Sequence, residues 1–415
     1  MCLGLNVWFH RSYRTDLQCA RECRGCVSPQ PLSAAIRCCR RQQKADALVE
    51  PNGFAEEMRL HHGSFSNLAI LLLVATSSGG ARAADSDSEH RLSAPAVSEN
   101  LAVYFVLGNS SDGQVPLTLQ EAMADDTVRV YETGNVNELA IENRGAEGVF
   151  VQAGDIVKGG QQDRSLTVSL LLPPHSGRIP IASFCVEPNR WSQRGHEDVH
   201  HFSSANAAMP SREAMIAMKA PSDAGSAMQR SLASDPSQRP IAETRERQHA
   251  VWDYVASINR ALSANLSSNS GPMPAPGSLQ TTLEDDKLKE AQGSYIKLLR
   301  PAGESDPDII GYVFVVNGKL EGGDVYSSNA LFRKMWPKLL AASVTEAIAN
   351  RNSAAVTAPS IETIRAFVSA AERGNPTVAK LTQDVRLETR ETEQALFFET
   401  AWADGRWVHR NYLAK

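Results

Sequence analysis

Asn143-Arg144-Gly145-Ala146-Glu147-Gly148-Val149-Phe150-Val151-Gln152-Ala153-Gly154-Asp155-Ile156-Val157-Lys158-Gly159-Gly160-Gln161-Gln162-Asp163-Arg164 is the stretch whose reading decides the fold. From Ala153 to Arg164 it holds three glycines, two aspartates, one lysine and one arginine. Glycine admits positive φ and close approach of a partner. Gly159 and Gly160, following Lys158, can aim successive backbone N–H groups at one point and so form an anion nest. Strand-like sequence flanks this loop. Val149 and Val151 alternate with Phe150 and Gln152. Leu166, Val168, Leu170 and Leu172 alternate with Ser165, Thr167 and Ser169, the period of one half-buried strand. Pro173 to Gly177 forms a turn cluster, and Ile179 to Val186 reads as the returning strand. A second polar segment, Glu187 to Trp191, leaves the sheet beside the loop.

Strand patterns recur upstream at Leu101–Leu107, Val128–Glu132 and Asn137–Glu142. Downstream, Gln248–Leu262 has Val251, Trp252, Val255, Ile258 and Leu262 on one helical face. Leu283–Leu299 reads as a second helix, weakened by Gly293. Ile309–Val316 is a strand closed by Asn317-Gly318, a hairpin signal because both residues tolerate positive φ. Asn329–Asn350 is a longer helix, in which Pro337 predicts a kink or a restart. Ile361–Arg373 is a helix with Gly374 as its C-terminal cap. Strands follow at Ala379–Glu388, Ala395–Trp402 and Trp407–Leu413, the last two around Asp404-Gly405. Helices and strands do not alternate regularly. The expected class is α+β, a mainly antiparallel sheet core with several packed helices.

The chain has 415 residues, 42% of them hydrophobic and 21% charged, with a net charge of −5. No basic stripe points to nucleic acid. Six of the seven cysteines fall at Cys2, Cys19, Cys23, Cys26, Cys38 and Cys39. Cys19, Cys23 and Cys26 have the spacing of an iron–sulfur motif, but no βα-barrel pattern follows them. Residues 1–57 therefore read as an upstream extension foreign to the native protein. Met58 opens a basic start, Leu68–Ala75 is a short apolar run, and Ala81-Arg82-Ala83 is a small-x-small cleavage site. Together, residues 58–83 read as a secretory signal peptide cleaved near Ala83. The alternative is a buried helix of a cytoplasmic protein. The apolar run is shorter than the ~20 residues that span a bilayer, so no further membrane association is expected. The expected location is secreted or periplasmic. Residues 84–100 then form a linker, and residues 101–415 one α+β domain with a flexible insertion near 203–240.

Three constellations could carry chemistry. His196-Glu197-x-x-His200 has the spacing of a zinc site with Glu197 activating water, but it lacks an apolar helical context and a third ligand. No metal and no cofactor is expected. Cys185 could act as a nucleophile with Glu187 nearby, against the plainer reading of a small buried hydrophobe. The third set is Asp155, Lys158, Gly159, Gly160, Gln161, Asp163, Arg164, Glu187, Arg190 and Trp191. As a site, Lys158, Arg164 and Arg190 would take phosphate or carboxylate oxygens while Asp155 or Glu187 contacts hydroxyls. As structure, the same charges would lock two strands together. An anionic small molecule is the expected partner. The sequence gives no protein partner.

The segments Gly154–Arg164 and Leu170–Trp191 resemble the signature of the ARG and Rhodanese-Phosphatase-superfamily-associated Protein domain family. Val316-Asn317-Gly318-Lys319-Leu320 with Gly323-Asp324, and Leu331–Leu340 with its tryptophan, fit it as well. The resemblance runs from about Leu101 to the C-terminus. The family takes its name from genomic neighbours linked to ADP-ribose and NAD processing. The resemblance thus implies an accessory or ligand-binding domain, with an ADP-ribose-like molecule as one candidate ligand. The alternative is a hydrolase built on Cys185 or on His196, Glu197 and His200.

Overall fold

Leu101–Leu107 shows how the core is built. Its odd-numbered residues Leu101, Val103 and Phe105 enter one apolar cluster, and Ala102, Tyr104 and Val106 enter another. Side chains alternate across a strand, so an unbroken apolar run needs cover on both faces. In the computed structural model of the protein, residues 90–188, 201–219, 241–267, 278–352 and 357–415 are described. They belong to one compact unit, Arg82–Lys415. Residues 1–57 and 58–83, expected to be an upstream extension and a signal peptide, lie outside the described residues, as do Arg190, Trp191, His196, Glu197 and His200.

The fold is α+β with an antiparallel core. Leu101–Leu107 belongs to a nine-stranded sheet. From it the order runs through Ile309–Val316, Lys319–Tyr326, Trp407–Ala414, Ala395–Trp402, Val385–Glu391 and Asn375–Lys380. Every pairing in this sheet is antiparallel. A six-stranded antiparallel sheet orders Phe202–Ala208, Asp155–Gly159, Arg164–Leu166, Gly177–Cys185, Glu138–Asn143 and Val128–Glu132. A small third sheet joins Leu170–Leu172, Val149–Val151 and Leu117–Thr118.

The helix Asn329–Ala349 carries apolar residues on nearly every side and is almost wholly buried. A helix apolar all round belongs in the interior. It packs against the nine-stranded sheet and against the helices Ile241–Leu266 and Asp286–Gly303. Trp336 anchors it, with its ring edge-on to Phe105 at 5.5 Å and to Tyr312 at 5.1 Å. A Cβ at Gly303 would stand 2.3 Å from the Trp336 indole nitrogen, so only glycine fits there. Trp336→Ala would cost about 3–5 kcal/mol. The second apolar cluster lies on the sheet's other face, with Ile364 of the helix Ile361–Ala371 in it.

Several sequence expectations are corrected. Residues 166–172 are not one half-buried strand: Arg164–Leu166 and Leu170–Leu172 lie in different sheets, and every residue of 164–172 is buried. Alternation of Leu with Ser and Thr imitates an exposed face, but these hydroxyls are enclosed. The sheet begins before Leu101, because Arg91–Leu92 and Ala96–Ser98 pair with Leu101–Leu107. Phe202–Ala208 is a strand and Arg212–Lys219 a helix, where a flexible insertion was expected; residues 220–240 lie outside the described set. Pro337 does not mark a restart: it sits inside one continuous helix, with Met335, Trp336, Leu339 and Leu340 buried on both sides of it. Gly374 is not a left-handed cap: the helix ends at Glu372 in right-handed geometry. Gly374 is needed instead for close approach, since a Cβ there would stand 2.8 Å from the Glu391 carbonyl oxygen. Residues 379–388 divide between two strands, Asn375–Lys380 and Val385–Glu391, that form a hairpin.

Candidate functional site

The glycine loop supplies its own anions. Gly159 and Gly160 both adopt positive φ, 109° and 55°. The N–H of Gly159 donates to Asp163 Oδ1 at 2.9 Å, and that of Gln161 to Glu132 Oε1 at 3.2 Å. The N–H of Asp163 donates to Glu187 Oε2 at 3.1 Å. Asp163 and Glu187 are fully buried, and so is Arg164. Arg164 Nη1 donates to the carbonyl and side-chain oxygens of Gln162, and Nη2 lies 3.8 Å from Glu132. Lys158 pairs with Glu284 at 2.7 Å on a partly exposed surface. The loop's two described cations are therefore both engaged. Backbone donors that suit a phosphate are matched here by carboxylates of the same chain.

Cys185 is buried, with Gln248 bonded to its backbone and Arg164 and Trp252 near its thiol. Its thiol donates to the Glu187 carbonyl at 3.2 Å. Burial pushes this thiol up, away from the thiolate a nucleophile needs. Among the described residues no group of three or more His, Cys, Asp or Glu stands close enough to hold a metal ion. No helix among them is long and apolar enough to cross a membrane.

Asp155 leads elsewhere. Its Oδ2 accepts the Gln152 N–H at 2.9 Å, which closes the turn Gln152–Asp155 with Gly154 at φ 91°. Its Oδ1 takes the Lys338 ammonium at 2.6 Å, and both groups are buried. This turn forms one wall of a cavity of about 60 Å³. At ~10–15 Å³ per water, that is room for roughly four to six water molecules. Of the residues that line the cavity, only Phe314 is more than marginally exposed.

Distant segments supply the polar wall. Ser211 caps the helix Arg212–Lys219, its Oγ accepting the Ala214 N–H at 3.1 Å. The first N–H of that helix, from Arg212, donates to Glu346 Oε1 at 3.0 Å. Helix starts present unpaired donors and favour a carboxylate. Glu346 comes from the central helix, where Leu339, Ala342, Ser343 and Glu346 share the face that lines the cavity. Glu321 is placed by a β-bulge: Phe314 pairs with Gly322 and Val315 with Leu320, which leaves Glu321 as the extra residue. Bulges re-aim side chains beside sites. The strands pack tightly here, and a Cβ at Gly322 or Gly323 would stand 2.4 Å or 2.2 Å from a neighbouring carbonyl oxygen.

Asp324 continues the polar wall inward. Its Oδ1 meets His409 Nε2 at 2.9 Å and accepts from Asn411 at 2.9 Å and from Gln152 at 3.3 Å. Lys219 donates to Asn411 Oδ1 at 2.7 Å and lies over the Phe398 ring. Burial holds the Lys219 ammonium down at about 7 and also lowers His409. Burial pushes Glu321 up to about 7. It pushes Glu346 well above the carboxylate range, and the Glu321 charge adds to that.

Sequence reasoning reached Asp155 and missed Arg212, Glu321, Asp324, Glu346, His409 and Asn411. Two signals were available. Glu321-Gly322-Gly323-Asp324 places two acids and two glycines inside a strand, and Glu346 is a charge within an apolar helix.

Fold and cavity define an antiparallel α+β domain with a polar, partly open site. The model of the ARG and Rhodanese-Phosphatase-superfamily-associated Protein domain matches residues 89–413, and the chain belongs to that family. No curated protein and no solved structure matches it.

Proposed function

We propose that this is an accessory, ligand-binding domain that acts outside the cytoplasm and holds a small polar molecule in the cavity beside Gln152–Gly154. One observation carries the reading: five segments far apart in sequence converge polar groups on a single, partly open cavity. Small-molecule sites have this character, a concavity with apolar lining and a few placed polar groups. The signal-peptide pattern of the sequence at 58–83 supports the location. The site moves from the outer part of the glycine loop, whose charges are engaged internally, to the loop's first residues and the walls they face.

The test is thermal melting with a panel of small polar metabolites that includes ADP-ribose. A saturating ligand adds ~2.7 kcal/mol at a hundred times its dissociation constant. Ala342→Leu fills the cavity from the central helix at a cost of about 1–3 kcal/mol. The expected result is a ligand-dependent rise in wild type that Ala342→Leu loses. A panel with no effect, or an equal rise in the variant, overturns the reading.

A further inference from the structure

The cavity's charge and its carboxyl acceptors point to one kind of ligand group. Glu321 is 6% exposed, and its carboxyl receives no hydrogen bond from any described residue. It stands 2.8 Å from Arg212 Nε, an ion pair out of line for a hydrogen bond. Glu346 is 3% exposed and has only Oε1 engaged, by the Arg212 N–H. Two largely buried carboxyls thus line the same cavity and keep acceptor capacity toward it.

Arg212 does not offer itself to an anion. Nη1 donates to the Ala414 carbonyl at 3.0 Å, Nη2 to Glu213 at 2.6 Å, and Nε faces Glu321. The ionisable lining groups are then Glu321, Glu346 and Asp324 against this one guanidinium. An incoming phosphate or carboxylate would meet three carboxyls and a guanidinium already ion-paired with Glu213 and Glu321.

We propose that the cavity takes a small organic cation bearing N–H donors, an alkylammonium or a guanidinium, seated between the carboxyls of Glu321 and Glu346. This rests on the ligand-binding reading above and names the ligand class for the same site. The N–H donors fill the acceptor sites that the protein leaves open. The positive charge balances the excess of carboxyls. Met209, Met215, Phe314 and Leu413 give an apolar wall for a carbon chain.

Proton linkage follows. Glu321 is faced by Arg212 and Glu213 from the short helix, Lys319 from its own strand and Glu346 from the central helix. Asp324 and Tyr312 line the same space. The cation favours ionised Glu321, so binding releases a proton wherever that carboxyl was protonated. Affinity rises with pH up to about 7 and then flattens. Below that point each pH unit weakens binding by up to about tenfold.

The experiment is calorimetric titration of the full chain at pH 6 and pH 8 with methylammonium, guanidinium, tetramethylammonium, acetate and ADP-ribose. Methylammonium or guanidinium is expected to bind, about tenfold more weakly at pH 6. Tetramethylammonium, which has the charge without N–H donors, and acetate are expected not to bind. Glu321→Gln should weaken cation binding at pH 8 by at least about tenfold and remove its pH dependence. Should that variant not fold, Glu346→Gln and the wild-type comparison of methylammonium with tetramethylammonium still decide. Binding of ADP-ribose or acetate that Ala342→Leu abolishes, with no cation bound, overturns the cation proposal and leaves the ligand-binding reading standing. Binding by nothing in the wider panel overturns both.

Discussion

Lys338 Nζ lies 2.6 Å from Asp155 Oδ1, with both side chains buried, 183 positions apart in the chain. The pair ties the central helix to the turn that opens the glycine loop. Removing one partner of a buried ion pair strands the other charge, at about 3–5 kcal/mol. Lys338→Ala is expected to lose that much in urea unfolding. The double variant Asp155→Asn, Lys338→Met strands no charge and should be milder than the single change. A single variant within about 1 kcal/mol of wild type would contradict a buried pair.

Arg164 and Lys158 are both cations of the glycine loop, and the structure separates them. Arg164 is enclosed and bonded to Gln162, so Arg164→Ala should cost about 3–5 kcal/mol. Lys158 reaches Glu284 at a partly exposed surface, so Lys158→Ala should cost ~0–1 kcal/mol. Thermal melting of the two variants side by side checks this. Equal losses would show that the loop's charges are not divided between interior and surface.

Two buried groups predict opposite pH dependences. Glu321 is raised from 4.5 to about 7, so the folded state keeps a proton that the unfolded chain gives up. Its contribution to stability is fully present below 4.5 and is lost as pH rises through about 7. Glu321→Gln should therefore be more stable than wild type at pH 8, by at most ~3 kcal/mol, with the gap closing by pH 5. Lys219 is lowered from 10.5 to about 7, so the folded state has given up a proton that the unfolded chain keeps. Its contribution is present above 10.5 and is lost as pH falls through about 7, so Lys219→Met should flatten the curve on that side. Chemical denaturation at pH 5, 7 and 9 resolves both. A Glu321→Gln variant less stable than wild type at pH 8 would contradict the direction given for that carboxyl.

Export is tested by processing. Expression from Met58 in a Gram-negative host should give a periplasmic protein whose N-terminus is at or near Ala84. N-terminal sequencing decides. A cytoplasmic protein that retains Met58 would remove the export signal from the account.

Local sequence determined much of the secondary structure, because strand and helix periods are written in neighbouring residues. Val128–Glu132, Ile309–Val316 and Ala395–Trp402 emerge with the bounds their patterns predict. Asn317-Gly318 forms its hairpin with both φ angles positive, 51° and 78°. The antiparallel α+β class followed from the order of these elements.

Tertiary structure decided which polar groups face one another. Gly159 and Gly160 have the backbone geometry that the sequence suggests, yet their anions arrive from Glu132, Asp163 and Glu187 within the chain. Alternation along 166–172 is genuine, but both faces are covered by elements that the local pattern cannot see. The cavity joins Gln152, Arg212, Glu321, Glu346 and Asn411, residues that no short window contains. A bulge of one residue aims Glu321, and a bulge depends on the register of two strands rather than on the sequence of either. Periodicity reports which side of an element is apolar. Only the packing of sheet on helix reports what that side meets.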